Sequence, residues 1–299
     1  VRVVVAPDKF KGSLDAAAVA AALAAGLRDV VPDAICDPVP MADGGDGTVA
    51  AFLASGAVVR RVRVAGPLGD PVEATYAREG TTAVVEMATA SGLGLLRRRR
   101  RDPRLATTYG TGELLRDALD GRASTIVLGI GGSATVDGGA GALAALGARF
   151  LDAQGAVLVP VPAALVALER VDLSDLDPRL AGVDLAIACD VDSPLLGPNG
   201  AAAVYGPQKG ASRADVAFLD GVLARLADAL AAASGHDLRA LPGAGAAGGL
   251  GWALASVCGA RLESGVALVA QVRGLAARLV GADACWTGEG RIDAQTLRG

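Results

Sequence analysis

The chain has 299 residues, 52% of them hydrophobic and 20% charged, which excludes a disordered segment and allows one large domain or two smaller ones. A formal net charge of −4 and a pI near 5.1 give no general attraction for nucleic acid or an anionic membrane, so neither is expected as a partner. Aromatics amount to only 3%, while Ala, Leu, Val and 41 glycines dominate, a mixture that suits Ala/Leu helices packed on Val/Ile strands through Gly-rich turns.

Residues 1–6 form an apolar run interrupted only by Arg2. Pro7-Asp8-Lys9-Phe10-Lys11-Gly12 follows, and Ser13 stands where it can cap an Ala-rich helix reaching about Val31. This strand, loop and helix grammar recurs at 124–129, 183–189 and 282–287, each an apolar run ending near Gly or Asp, and predicts a mainly parallel sheet. Between Val58 and Glu86 the pattern alternates, and segments 72–78 and 81–86 around Glu79-Gly80 read as an antiparallel hairpin opening a second domain. The arginines at 97–101, ahead of Asp102-Pro103, read as a solvated loop. Amphipathic helices are expected over 213–233 and 266–279.

Mean hydropathy is +0.43 and residues 241–260 carry no charge, but Gly243, Gly245, Gly248, Gly249 and Gly251 break that stretch into a buried loop and a helix start rather than a membrane span. The first apolar run is too short for a secretory signal. Cys36, Cys189, Cys258 and Cys285 include no C-x-x-C pair, and three lie in apolar runs, which predicts buried, reduced thiols and a cytoplasmic setting.

Lys9, Lys11 and Lys209 are the only lysines in a chain that otherwise uses arginine, and all three lie in loops within three residues of a glycine, which hints at sites needing a compact ammonium. Asp43-Gly44-Gly45-Asp46-Gly47-Thr48 sets two carboxylates in a Gly-rich turn before a helix, able to approach a phosphate, hold Mg²⁺ or meet a hydroxyl, or simply to make a capped turn. The segment Gly129-Ile-Gly131-Gly132-Ser133-Ala-Thr-Val-Asp137-Gly138-Gly139-Ala-Gly141 follows a strand and precedes an Ala/Leu helix. It has the composition of an anion cradle long enough for a di- or triphosphate.

Gly129-x-Gly131-x-x-Ala134, with Asp152 beyond it, also matches a dinucleotide fingerprint, but the later glycines would interrupt the helix that pattern requires. Gly243-x-Gly245-x-x-Gly248 lacks a preceding strand, and no Walker motif occurs. Ala188-Cys189-Asp190-Val191-Asp192 and Thr287-Gly288-Glu289-Gly290 each close a strand. In an open α/β sheet these ends, with Asp8 and Gly131, are expected to converge on a ligand. The sole histidine, His236, sits in a polar loop, which leaves acid and base work to carboxylates.

Read together, Ala6-Pro-Asp-Lys-Phe-Lys-Gly-Ser13, Pro40-Met-Ala-Asp-Gly-Gly-Asp-Gly-Thr48, Thr108-Tyr-Gly-Thr-Gly-Glu113, Gly129-Ile-Gly-Gly-Ser-Ala-Thr, Ala188-Cys-Asp-Val, Gly206-Pro-Gln-Lys-Gly210 and Thr287-Gly-Glu-Gly-Arg-Ile-Asp293 resemble the bacterial glycerate kinase family that lacks a P-loop. The motifs run in order from the first strand to the last residues. The resemblance implies ATP- and Mg²⁺-dependent phosphorylation of D-glycerate to 2-phosphoglycerate on two α/β domains. One is flavodoxin-like, expected at residues 1–60 and 235–299; the other is a mixed α/β insert, expected at 61–234.

On that reading Lys9, Lys11 and Lys209 neutralise phosphate and carboxylate charge. Gly131, Gly132, Ser133, Asp137, Gly138, Gly139, Gly288, Glu289 and Gly290 bind the nucleotide. Asp190 is the expected base at the glycerate 2-hydroxyl with Asp43 as the alternative, and Asp46 or Asp192 lies nearer Mg²⁺. An NAD-dependent dehydrogenase and a non-catalytic small-acid sensor are the competing readings. Family members extend several tens of residues past Gly299, so an uncovered sheet edge, lower stability and weak activity, or a homodimer covering that edge, are expected of this chain.

Overall fold

A computed structural model of the chain describes residues 1–10, 12–42, 47–53 and 56–290. Its strands are β1 (Arg2–Val5), β2 (Ile35–Pro38), β3 (Val58–Ala65), β4 (Pro71–Glu79), β5 (Thr82–Glu86), β6 (Thr125–Gly129), β7 (Arg149–Leu151), β8 (Arg170–Asp172), β9 (Asp184–Ala188), β10 (Arg261–Glu263) and β11 (Ala284–Trp286). They form two main sheets, one parallel and a larger mixed one, in keeping with the two α/β domains that the family resemblance implies. A small parallel sheet has the order β11-β1-β2, and a six-stranded sheet has the order β10-β9-β6-β5-β4-β3. In the larger sheet β10, β9, β6 and β5 are parallel, while β4 and β3 continue it as antiparallel strands. β7 and β8 make a separate short ladder.

Strand alternation decides the layers. Ala83, Val85, Ile126, Leu128, Leu185 and Ile187 point to one face of the six-stranded sheet, against Leu114 and Leu115 of the helix Tyr109–Asp120 and against the helices Ala140–Ala145 and Leu250–Cys258. Val84, Val127 and Ala186, adjacent in register, point to the other face. There they meet Val49 and Phe52 of the helix Thr48–Leu53 and Leu268 and Val269 of the helix Gly265–Val272. The same cluster includes Val4 and Ala6, so these two helices are sandwiched between the sheets. Val3 and Val5 face the opposite way, onto Ala20 of the helix Ala16–Val30.

The hairpin of β4 and β5 forms as its alternation predicts. The helix Arg213–Ser234 starts with a reciprocal capping box, Ser212 with Asp215. Three expectations shift. The first helix is capped by Asp15, whose carboxylate accepts the Ala18 N–H at 2.7 Å, rather than by Ser13. The helix expected over 266–279 is two helices, Gly265–Val272 and Leu275–Leu279, because Gly274 takes φ +63° between them. Strand β10 hydrogen-bonds beside β9, so residues 261–263 belong to the larger sheet and the chain returns to the small sheet only at β11. Residues 246–258 are a buried 3₁₀ turn and helix, and among the described residues no helix is long and apolar enough to cross a membrane.

Candidate active site

The carboxyl ends of the central parallel strands lie level: Glu86 of β5 is the register partner of Gly129 of β6, which is the partner of Ala188 of β9. Just beyond them is a cavity of roughly 400 Å³. Its walls are Ile130 to Ser133 after β6, Ala188 to Val191 after β9, and Leu93, Tyr205, Gln208, Lys209, Ala246 and Ala247 from the surrounding loops. The site thus sits where ligands bind in open α/β sheets. Ala247 holds φ +51°, an uncommon conformation for a residue with a side chain, at the wall of this cavity.

Gly131 and Gly132 are exposed, and their loop is anchored from one side by the Leu93 N–H donated to the Gly132 carbonyl at 2.8 Å and by the Ala134 N–H donated to the Ser91 carbonyl at 2.9 Å. From the other side Lys209 donates from Nζ to Ser133 Oγ at 2.6 Å and to the Thr135 carbonyl at 2.7 Å. Lys209 is 1% exposed, and burial pulls its ammonium down from the usual lysine range to about 7, with the negative charge of Asp137 opposing.

The second half of the Gly-rich segment does not face the cavity. Asp137 is wholly buried, and its carboxylate accepts the Thr108 N–H at 2.7 Å, the Thr108 hydroxyl at 2.8 Å and the Gly139 and Gly141 N–H groups at 3.2 Å each. The amides expected to cradle phosphate are therefore occupied by the chain's own anion at the start of the helix Ala140–Ala145. Burial pushes the Asp137 carboxyl above its ordinary range, and the four donated bonds oppose that shift. Gly138 and Gly139 are buried too, at φ +63° and +74°. A Cβ on Gly138 would stand 2.4 Å from Leu226, and one on Gly139 would stand 2.8 Å from the side chain of Ala253. Close packing explains these glycines, and none of the three residues lines the cavity.

Asp190 does line the cavity. One of its oxygens accepts the Gly265 N–H at 2.9 Å, tying it to the start of the helix Gly265–Val272. Asp192 is exposed and lies outside the lining. Cys189 also faces the cavity, where burial raises its thiol, and burial raises the Cys258 thiol to about 12, so both are held protonated. The four cysteines are free, though none is fully buried and Cys285 is exposed.

Asp8, Lys9, Gly288 and Glu289 gather at a second place, the carboxyl edge of the small sheet. There the Asp8 N–H donates to the Gly288 carbonyl at 2.9 Å and the Met41 N–H to the Pro7 carbonyl at 2.9 Å. Gly290 follows as an exposed bend. Gly47 bridges the two edges: its Cβ position lies 3.6 Å from Lys9 Cδ, and its N–H, with that of Val49, donates to Glu86 at 3.1 and 2.7 Å. Glu86 was not singled out from the sequence, although it ends an apolar strand in the same way as Asp190. Lys11, Asp43, Asp46 and residues 291–293 lie outside the described residues.

The dinucleotide reading fails on geometry. A ten-residue loop separates β6 from the next helix, and Asp152 closes a turn by accepting the Gln154 and Ala156 N–H groups at 2.9 and 2.8 Å, away from any nucleotide path along β6. The donors suited to a hard cation near the cavity are Asp190 and Asp192. Among the described residues no group of three potential metal ligands clusters.

The model of the glycerate kinase family matches residues 3–299. The chain is 46% identical to Escherichia coli glycerate 2-kinase over 301 residues, covering 100% of this chain and 79% of that one. It is 48% identical to a glycerate kinase of Halalkalibacterium halodurans, covering 99% and 79% respectively. The crystal structure of a protein assigned as glycerate kinase 2 from Salmonella typhimurium LT2 superposes with a TM-score of 0.96 at 47% identity, covering 100% of this chain and 81% of that one. By that match over almost the whole chain and by these relatives, the chain belongs to the glycerate kinase family.

Proposed function

We propose that the chain transfers the terminal phosphoryl group of ATP to the 2-hydroxyl of D-glycerate, giving 2-phosphoglycerate and ADP. The observation that carries this reading is one cavity holding both the exposed Gly131-Gly132 turn and the Asp190 carboxylate, in a chain of this family. The hydroxyl oxygen forms the new bond to phosphorus as the bond to the ADP oxygen breaks, and Asp190 orients the hydroxyl and takes its proton. Backbone N–H groups at Gly131 and Gly132 receive phosphate oxygens, so most of the acceleration comes from positioning and charge neutralisation. Lys9 supplies positive charge from the edge of the small sheet, beside Gly288, Glu289 and Gly290, and Lys11 has the same role.

Asp192, with Asp46, would hold Mg²⁺, which when bound neutralises charge on the phosphates. The reading includes a discontinuous small-sheet unit and an inserted six-stranded unit, with catalysis between their facing edges, and a cytoplasmic location. An assay of glycerate-dependent ADP release with wild-type chain and Asp190→Asn tests it. Loss of roughly a hundredfold or more in kcat is expected of the variant. Near wild-type turnover would remove Asp190 as the base, and glycerate binding without any ADP release would favour a sensor.

A further inference from the structure

Lys209 reads from its motif as a cation that meets phosphate, but its surroundings describe a different task. Nearly the whole side chain is buried, and two of its three N–H groups are already committed, to Ser133 Oγ at 2.6 Å and to the Thr135 carbonyl at 2.7 Å. Both acceptors belong to the segment that continues the exposed Gly131-Gly132 turn, which on its opposite side is hydrogen-bonded to the Ser91–Leu93 backbone. The backbone under the lysine is itself fixed, since Arg101 donates to the Gln208 carbonyl at 2.9 Å.

Resting on the kinase reading above, we propose that Lys209 is a positioning residue: through Ser133 and Thr135 it clamps the loop so that the Gly131 and Gly132 amides stand ready for nucleotide phosphates, and it acts through that loop rather than as a free phosphate-binding cation. A charge-assisted pair of bonds from one buried ammonium suits this role, because the loop's exposed glycines have no side chains with which to hold themselves.

The clamp is poised to respond to pH. The groups facing Lys209 are Asp137 on the same loop, the Tyr205 ring 5.9 Å from Nζ, Asp190 and Cys189 on the cavity wall, and Arg101 through the Gln208 carbonyl. Of these, Asp137 favours the charged amine, and burial, the larger effect, opposes it.

The test uses the full chain with Lys209→Met, Ser133→Ala and the double variant. Peptide-level hydrogen exchange over residues 130–135 is expected to quicken about tenfold or more in Lys209→Met, while the helix Arg213–Ser234 stays protected. In turnover, kcat/KM for ATP should fall about tenfold or more in Lys209→Met. Ser133→Ala should fall in the same direction, and the double variant should be no worse than Lys209→Met alone, because both act on one contact. The wild-type kcat/KM profile should lose activity as pH rises through about 7, a limb missing in Lys209→Met. Unchanged exchange at 130–135 in Lys209→Met would overturn the clamp whether or not the chain turns over glycerate. Strictly multiplicative losses, with Ser133→Ala silent, would instead make Lys209 a direct phosphate ligand. Absence of glycerate-dependent ADP release in the wild type, with faster exchange in the variant, would refute the kinase reading and leave the clamp standing.

Discussion

Replacing Asp137 by alanine separates an internal anion from a nucleotide ligand. The substitution removes the acceptor for the Thr108 N–H and hydroxyl, at 2.7 and 2.8 Å, and for the Gly139 and Gly141 N–H groups, at 3.2 Å. No solvent reaches the position, so three backbone donors are left without a partner at about 1–3 kcal/mol each. Part of that is returned because a buried carboxylate no longer has to be desolvated. A net loss of about 4 kcal/mol follows, a large share of the roughly 5–15 kcal/mol that holds a typical domain together. Urea unfolding followed by circular dichroism should show the midpoint falling by more than about 1 M, with a loss in Asp137→Asn of the same sign. If Asp137→Ala unfolds at the wild-type midpoint while its KM for ATP rises tenfold, the carboxylate faces the ligand and the structural reasoning is wrong.

Gly138→Ala should destabilise the chain by about 2 kcal/mol or more, since the new methyl meets Leu226 at 2.4 Å on a backbone at φ +63°; thermal unfolding measures it. Lys209 binds its proton more weakly folded, at about 7, than at its ordinary 10.5. Between those values the unfolded chain holds more protons, and stability should rise with pH by up to about 1.4 kcal/mol per unit. Denaturant titrations of wild type and Lys209→Met across pH 6.5–10 should show this rise in the difference between them. An identical pH dependence in both would contradict it. NAD should not bind, as read by protein fluorescence, because the loop after β6 provides no helix start at Gly131.

Local patterns carried far into this fold. Alternation in 72–86 specifies the hairpin, and the amphipathic period of 213–233 specifies the longest helix, because those signals act over a few residues. The division into two sheets comes with the family resemblance and not from local pattern, since four apolar strands ending in Gly or Asp look alike whether they share a sheet or not. Only pairing over long sequence separations places β1 with β11 and β10 with β9. The strand-end positions of Asp190 and the Gly131-Gly132 turn are readable locally, and the structure places both on the wall of one cavity. Asp137 was misread as facing a ligand because an acid among glycines looks the same whether the anion it replaces is bound from outside or supplied by the chain. The counterpart of that carboxylate, Thr108, lies 29 residues away, beyond the reach of local pattern. Glu86 was missed although its position after an apolar strand carries the same signal as Asp190.

The most direct measurement is the initial rate of ADP formation from ATP and Mg²⁺ with D-glycerate present or withheld, with the phosphorylated product identified by NMR. The account predicts ADP release that depends on glycerate, phosphorus on the 2-oxygen, and loss of roughly a hundredfold or more in Asp190→Asn with folding retained. Folded wild-type chain that releases no ADP when glycerate is added, or that phosphorylates the 3-oxygen, would contradict it.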